Sequence, residues 1–301
     1  MKDGYWVVRT YEAGQVGEKT KYFVLGDRTR RNRRKEESSI KKQEQNEYST
    51  KKRLARLINA NFTHGDILLG LDYSNASYKK LERSARKAAP DYDSLPEEDQ
   101  LRCIREAAAQ EMVNYLRRVK RALEKEGRAD ELKYIAITSD MDGDTEETVR
   151  VHHHLIVPAS CEHIVRMKWG HGGTYCKPLS KQEDYMPIAE YLIAQVRGTL
   201  NAKKFVSSRN LARPQPKDRI AVSDAEIRVP RNCKLIQRAE YKRGAPQYIR
   251  YILPEKKTAD ISSSGGEPAA ERSSHEEQKQ HGLRSPLRRL LPKAKHAVPP
   301  A

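Results

Sequence analysis

The chain has 301 residues, a third of them charged, and a formal charge of +17, which suffices for one large domain or two small ones. Such a surplus of Lys and Arg predicts a polyanionic partner, because neutralising phosphates releases their counterions. Membrane attachment is disfavoured as its cause: no apolar run approaches the ~18 residues of a spanning helix, and no basic amphipathic helix carries a Trp/Phe face.

The first residues, MKDGYWVVRT, lack the apolar core of a signal peptide. Residues 5–11 (YWVVRTY) and 19–25 (KTKYFVL) are expected to form a hairpin around a Gly-containing turn. The basic run RTRRNRRK at 28–35 reads either as a solvated linker or as an arm laid along a nucleic-acid backbone, and a polar helical stretch follows it. Residues 67–73 (ILLGLDY) make an apolar strand. Ser94-Leu-Pro-Glu97 has capping-box spacing, ahead of Leu101, Ile104, Ala108, Met112, Tyr115, Leu116, Val119 and Leu123 at helical spacing up to Gly127. Strand 133–138 (KYIAIT), the polar turn DMDGD and the run TVRVHHHLIV then read as a second hairpin.

Residues 160–168 are expected to be helical and 173–179 extended, and Pro187 opens a helix over 187–196 that Gly198 closes. The order β-α-β-β-α-β-α predicts an α+β fold: a split βαβ antiparallel sheet with helices packed on one face. Further extended segments cover 204–214 and 218–254, with a turn signal at Lys242-Arg-Gly-Ala. The expected organisation is an N-terminal hairpin and basic helical arm (1–54), a main domain (55–215), a C-terminal β extension (216–254) and a disordered basic tail (255–301). Cys103, Cys161, Cys176 and Cys233 show no CxxC spacing and read as reduced thiols of a cytoplasmic protein.

The histidine triplet carries the chemistry. Alternation along a strand sends His152 and His154 to one face, about 7 Å apart, and His153 to the other. Two such imidazoles can grip one metal ion, and Asp140, at the end of the neighbouring strand, is the candidate third ligand. An ion held there polarises a phosphodiester oxygen. Tyr191, amid the apolar residues of PIAEYLIAQV, is either a packed helix tyrosine or a phenolic nucleophile that attacks phosphorus. SSRNL at 207–211, beside Lys203, Lys204 and Arg213, reads as a DNA-backbone clamp through Lys203, Lys204, Ser208, Arg209 and Asn210. Tyr175 and Trp169 could stack on unpaired bases or sit in the core.

ILLGLDY at 67–73, VHHHLIV at 151–157, AEYLIAQ at 189–195 and KKFVSSRNLARP at 203–214 stand in the order seen in rolling-circle replication initiators. Over residues 55–215 the chain resembles the HUH endonuclease superfamily, in particular replication-associated proteins of bacterial phages and plasmids. The resemblance implies that His152 and His154 bind Mg2+ or Mn2+, with Mn2+ better suited to imidazole. It also implies that Tyr191 cleaves single-stranded DNA at an origin and stays joined to the 5′ phosphate, without a nucleotide cofactor. A bacterial cytoplasm, and a host replicative helicase or polymerase as a further partner, go with that role; no Walker motif supplies a helicase in this chain.

Relatives often carry a Lys three residues after the tyrosine, where this chain has Ala194; Lys203, Lys204 or Gln195 could stand in, and Tyr185 is the reserve nucleophile. They also often place Glu where this chain has Ser139 next to Asp140. Alternative readings are a relaxase or single-tyrosine transposase with the same chemistry, or a non-catalytic module that binds single-stranded nucleic acid.

Overall fold

The hairpin forms as expected, from β1 (Gly4–Ala13) and β2 (Val16–Leu25), paired from Gly4↔Leu25 to Ala13↔Val16. Its turn needs Gly14: φ is +58°, and a Cβ there would lie 2.2 Å from the Asn59 carbonyl oxygen. This computed structural model describes residues 4–25, 40–143, 145, 147–196, 204–239 and 244–254. All belong to one compact unit ending at Lys256; the other unit, Lys257–Ala301, lies outside the described residues, as does the basic run at 28–35.

After the hairpin come α1 (Ile40–Asn61), β3 (Ile67–Leu71), α2 (Asn75–Ala88), α3 (Glu97–Lys125), β4 (Ile135–Met141) and β5 (Thr148–Val157). They are followed by α4 (Glu162–Trp169), β6 (Thr174–Pro178), α5 (Met186–Ala194), β7 (Val206–Ser207), β8 (Lys217–Ala221), β9 (Lys234–Arg238) and β10 (Gln247–Ile252). One sheet has the antiparallel order β6-β3-β5-β4-β7. Its first four strands, numbered among themselves, run 4-1-3-2, the split βαβ arrangement that the element order predicts.

The crossover helices α2, α3 and α4 cover one face of this sheet. Leu69, Leu71, Leu155 and Val157 pack there with Met112, Tyr115, Val119 and Trp169. Helices also cover the second face: Ile135, Ile137 and Ile156 meet Leu54 and Ile58 of α1 and Ala189, Leu192 and Ile193 of α5. The segment expected as a basic arm is therefore in part a core helix. The boundary expected at 54/55 falls inside it, where the apolar side chains at 54, 55 and 58 are buried at helical spacing.

Two local expectations change. Helix α2 is not read from the sequence, although Ser74 caps it by accepting from the Ser77 amide at 3.2 Å. Ser94 does not cap α3; it ends a short 3-10 turn and donates to the Asp91 carbonyl, while Pro96 takes the cap position. The other end of α3 behaves as expected. Gly127 at φ +71° donates to the Glu124 carbonyl and Arg128 to the Leu123 carbonyl, a Schellman stop.

The second sheet has the order β8-β1-β2-β10-β9, so the N-terminal hairpin and the C-terminal extension build one sheet together. Strand β10 is buried along its whole length. Arg250 donates to Glu18 of β2 (2.7 Å) and, through two nitrogens at 2.6 Å, to Asp184 just ahead of α5. Arg56 of α1 holds the other Glu18 oxygen, and Asn59 donates to Asp184. Two carboxylates and two guanidiniums thus tie this sheet to α1 and to the start of α5. Burial pushes the Arg250 pKa down, but Asp184 and Glu18 raise it overall. The turn expected at Lys242 lies between the paired strands β9 and β10, and residues 240–243 are outside the described ones, as is Gly198. No described helix is long and apolar enough to cross a membrane.

Candidate metal and tyrosine site

Strand alternation splits the triplet as the sequence predicts. His153 faces the crossover helices and is fully buried. Tyr73 Oη lies 2.8 Å from its Nε2 and Thr138 Oγ1 lies 3.0 Å from its Nδ1. Burial, reinforced by the neighbouring imidazoles, holds its pKa at about 3, so it is a neutral structural histidine.

His152 and His154 face the other way, toward α5. Their Nε2 atoms are 3.2 Å apart, and the Gln195 amide oxygen lies 2.9 Å from that of His154 and 3.4 Å from that of His152. The amide is oriented by its own helix: Gln195 Nε2 donates to the Tyr191 carbonyl at 3.3 Å. Bonds of about 2.0–2.2 Å to one ion separate neighbouring donors by about 2.9–3.5 Å. The three atoms therefore already have the spacing of one face of a coordination polyhedron. Burial also holds His154 at about 3, so its imidazole is neutral, the form that binds a metal, at neutral pH.

A second observation fits an ion at this place. Ser139, directly across from His152, is fully buried and its hydroxyl has no hydrogen-bond partner. The donor set is two imidazoles and an amide oxygen, which suits Mn2+ better than Mg2+. Among the described residues no third His, Cys, Asp or Glu completes the group.

The nucleophile candidate comes to the same place. Tyr191 of α5 and Gln195, its C-cap residue in helical conformation, are four residues apart and share a helix face. The half-buried Tyr191 ring lies 5.9 Å from the His154 ring, tilted by 72°. Pro187 in the first turn and Asp184, which accepts from the Met186 amide at 3.0 Å, fix where this helix begins. The β4–β5 turn packs on the other side of Gln195, where a Cβ on Gly143 would lie 3.0 Å from Cγ.

Other expected site residues do not join them. Asp140 turns toward α3, on the opposite side of the sheet, and accepts from Arg105 at 2.7 Å, so it is not the third ligand. Alternation along β4 accounts for this: Ile137 and Ser139 stand opposite His154 and His152, while Asp140 shares the face of Thr138, opposite His153. Tyr185 is buried at the cap of α5 and donates to the Ser180 carbonyl, which removes it as the reserve nucleophile. Trp169 is a core residue whose indole donates to the Asp72 carbonyl.

The expected DNA clamp is largely internal structure. Ser208 is buried, and its hydroxyl accepts from the Tyr134 amide; Asn210 donates to the Asp130 and Leu132 carbonyls. Lys204 pairs with Glu47 of α1. Arg209 is exposed at the same turn, and Lys203 lies outside the described residues. Tyr134, which this turn grips, is five residues from Ser139, about 16 Å along the strand. The clamp thus sits at the Ile135 end of β4, whereas the histidine pair stands opposite Ile137 and Ser139.

Neither a known protein family, nor a curated protein, nor a solved structure matches the chain.

Proposed function

We propose that the chain is a metal-dependent, site-specific single-strand DNA endonuclease and strand transferase of the HUH type, which initiates rolling-circle replication. The observation that carries this reading is the convergence of His152, His154, Gln195 and Tyr191 on one face of the sheet. The +17 charge supplies the complementary field for a phosphate backbone.

His152 Nε2, His154 Nε2 and the Gln195 amide oxygen would hold the ion. When bound, Mg2+ or Mn2+ supplies positive charge against a non-bridging phosphate oxygen. The Tyr191 oxygen attacks phosphorus and gives up its proton to solvent. The new bond joins tyrosine to the 5′ phosphate, the P–O3′ bond breaks, and the 3′ oxygen leaves as a hydroxyl after taking a proton. One phosphate ester replaces another, so the released 3′ hydroxyl can reverse the step and reseal the strand.

The test uses a randomised pool of single-stranded oligonucleotides labelled at the 3′ end, with Mn2+. The wild-type protein is expected to acquire the label covalently, and Tyr191→Phe to acquire none while binding DNA within a few-fold of wild type. Labelling of Tyr191→Phe at the wild-type rate would place the nucleophile elsewhere. His152→Ala is expected to abolish labelling but not salt-sensitive binding. Accumulation of circular single strands from a plasmid bearing the cleaved sequence distinguishes replication initiation from relaxase or transposase work.

A further inference from the structure

The open part of the same sheet face lies between the histidine pair and the edge strand β6. Gly70 is directly opposite His154 on one side and Tyr175 on the other, and Ile137 completes the row beyond His154. Directly opposed residues share a face, so Tyr175 stands on the face that carries His154 and Tyr191. It is 56% exposed, and Lys177, also exposed, follows on the same face about 7 Å further along β6.

The middle of that row is empty of side chain. A Cβ on Gly70 would lie 3.8 Å from Tyr175 Cβ and 3.9 Å from Cδ2, and one on Gly173 would lie 3.8 Å from Cε2. One edge of the Tyr175 ring therefore rests beside two glycines. Two strand spacings of about 4.8 Å separate the Tyr175 and His154 backbones, with glycine as the floor between them. Tyr175 is more than half exposed above this floor, so its ring offers a face on which a flat base can stack. A lysine alone on an edge strand would only blunt the edge. Together with the aromatic ring and the glycine floor it makes the pattern of a single-strand track, a stacking surface beside a phosphate contact.

The geometry points to Tyr175, over Gly70, as the stacking platform for an unpaired nucleobase next to the phosphate held at the histidine pair, with Lys177 on the adjoining backbone phosphate. This rests on the nuclease reading above and adds a base-binding subsite to it.

The experiment measures anisotropy of a fluorescent oligothymidylate 20-mer with the full-length protein in the Tyr191→Phe background, where binding is separated from cleavage. Tyr175→Leu is expected to weaken binding roughly 5- to 100-fold and Tyr175→Trp to preserve it. Gly70→Val should weaken binding in the same range by filling the slot, since only ordinary van der Waals contacts meet the new Cβ. Lys177→Ala should lower the slope of log affinity against log salt by about 0.7. Thermal melting of each variant controls for folding. Equal affinity of Tyr175→Leu and its parent, in a wild-type protein that nicks, overturns this subsite and leaves the nuclease reading intact. A wild-type protein that neither binds the 20-mer nor accepts label overturns both.

Discussion

The Gln195 amide oxygen stands 2.9 Å from His154 Nε2, and the same side chain donates to the carbonyl of Tyr191 one helical turn earlier. One glutamine thus links the helix that carries Tyr191 to the histidine pair. Gln195→Leu is expected to weaken Mn2+ binding at least tenfold by titration calorimetry, and Gln195→Glu to strengthen it by adding a charged oxygen donor. Unchanged affinity in Gln195→Leu would remove the amide from the ligand set.

Gly143 tests the same contact from the other side. Its replacement by Val pushes on Gln195 Cγ, where even a Cβ sits at 3.0 Å. Weaker Mn2+ binding with little change in DNA affinity is the expected result. If Mn2+ affinity holds, the β4–β5 turn does not position the amide.

The buried ion network should be costly to open. Arg250→Met leaves Asp184 without its two guanidinium bonds and Glu18 with Arg56 alone, in surroundings where Arg250 is 1% exposed. A loss of about 3–5 kcal/mol is expected from urea unfolding. Because Asp184 also accepts from the first turn of α5, labelling at saturating DNA should slow in the fraction that remains folded.

Lys52 gives a pH dependence. Burial pushes its pKa down from 10.5 to about 8; Glu18 pulls it up, and Arg56 and Arg250 push it further down. The Tyr48 and Tyr248 rings, 4.3 and 4.2 Å from the ammonium, favour the charged form and temper the shift. Between about pH 8 and 10.5 the unfolded chain binds more protons at this site than the folded one, so Lys52 adds stability as pH rises through that window. Below about pH 8 the lysine is charged in both states and its burial penalty is fully present. The wild-type minus Lys52→Met difference in urea midpoint should therefore grow more favourable to wild type from pH 7.5 to pH 10. A flat difference would show that the rings offset the burial.

Much of the site was legible because it depends on local periodicity. Strand alternation alone placed His152 and His154 together and His153 apart, and helical spacing alone put Gln195 beside Tyr191, although the sequence offered that residue only as a substitute for lysine. Asp140 misled because the sequence does not fix which residue of β4 stands opposite His152: Ser139 does, so alternation sends Asp140 to the other face. Ser208 and Asn210 misled for another reason: hydroxyls and amides that look available for phosphate are used to satisfy backbone groups at the start of β4. The second sheet was illegible as a unit because β2 meets β10 across more than two hundred residues, a pairing that no local pattern encodes.

That long-range pairing has a consequence for synthesis. Arg250 is among the last described residues to leave the ribosome, yet it fastens the entrance of the helix bearing Tyr191. A growing chain holds its histidines and phenol well before this latch exists, so the candidate site takes its final shape only after translation has passed β10.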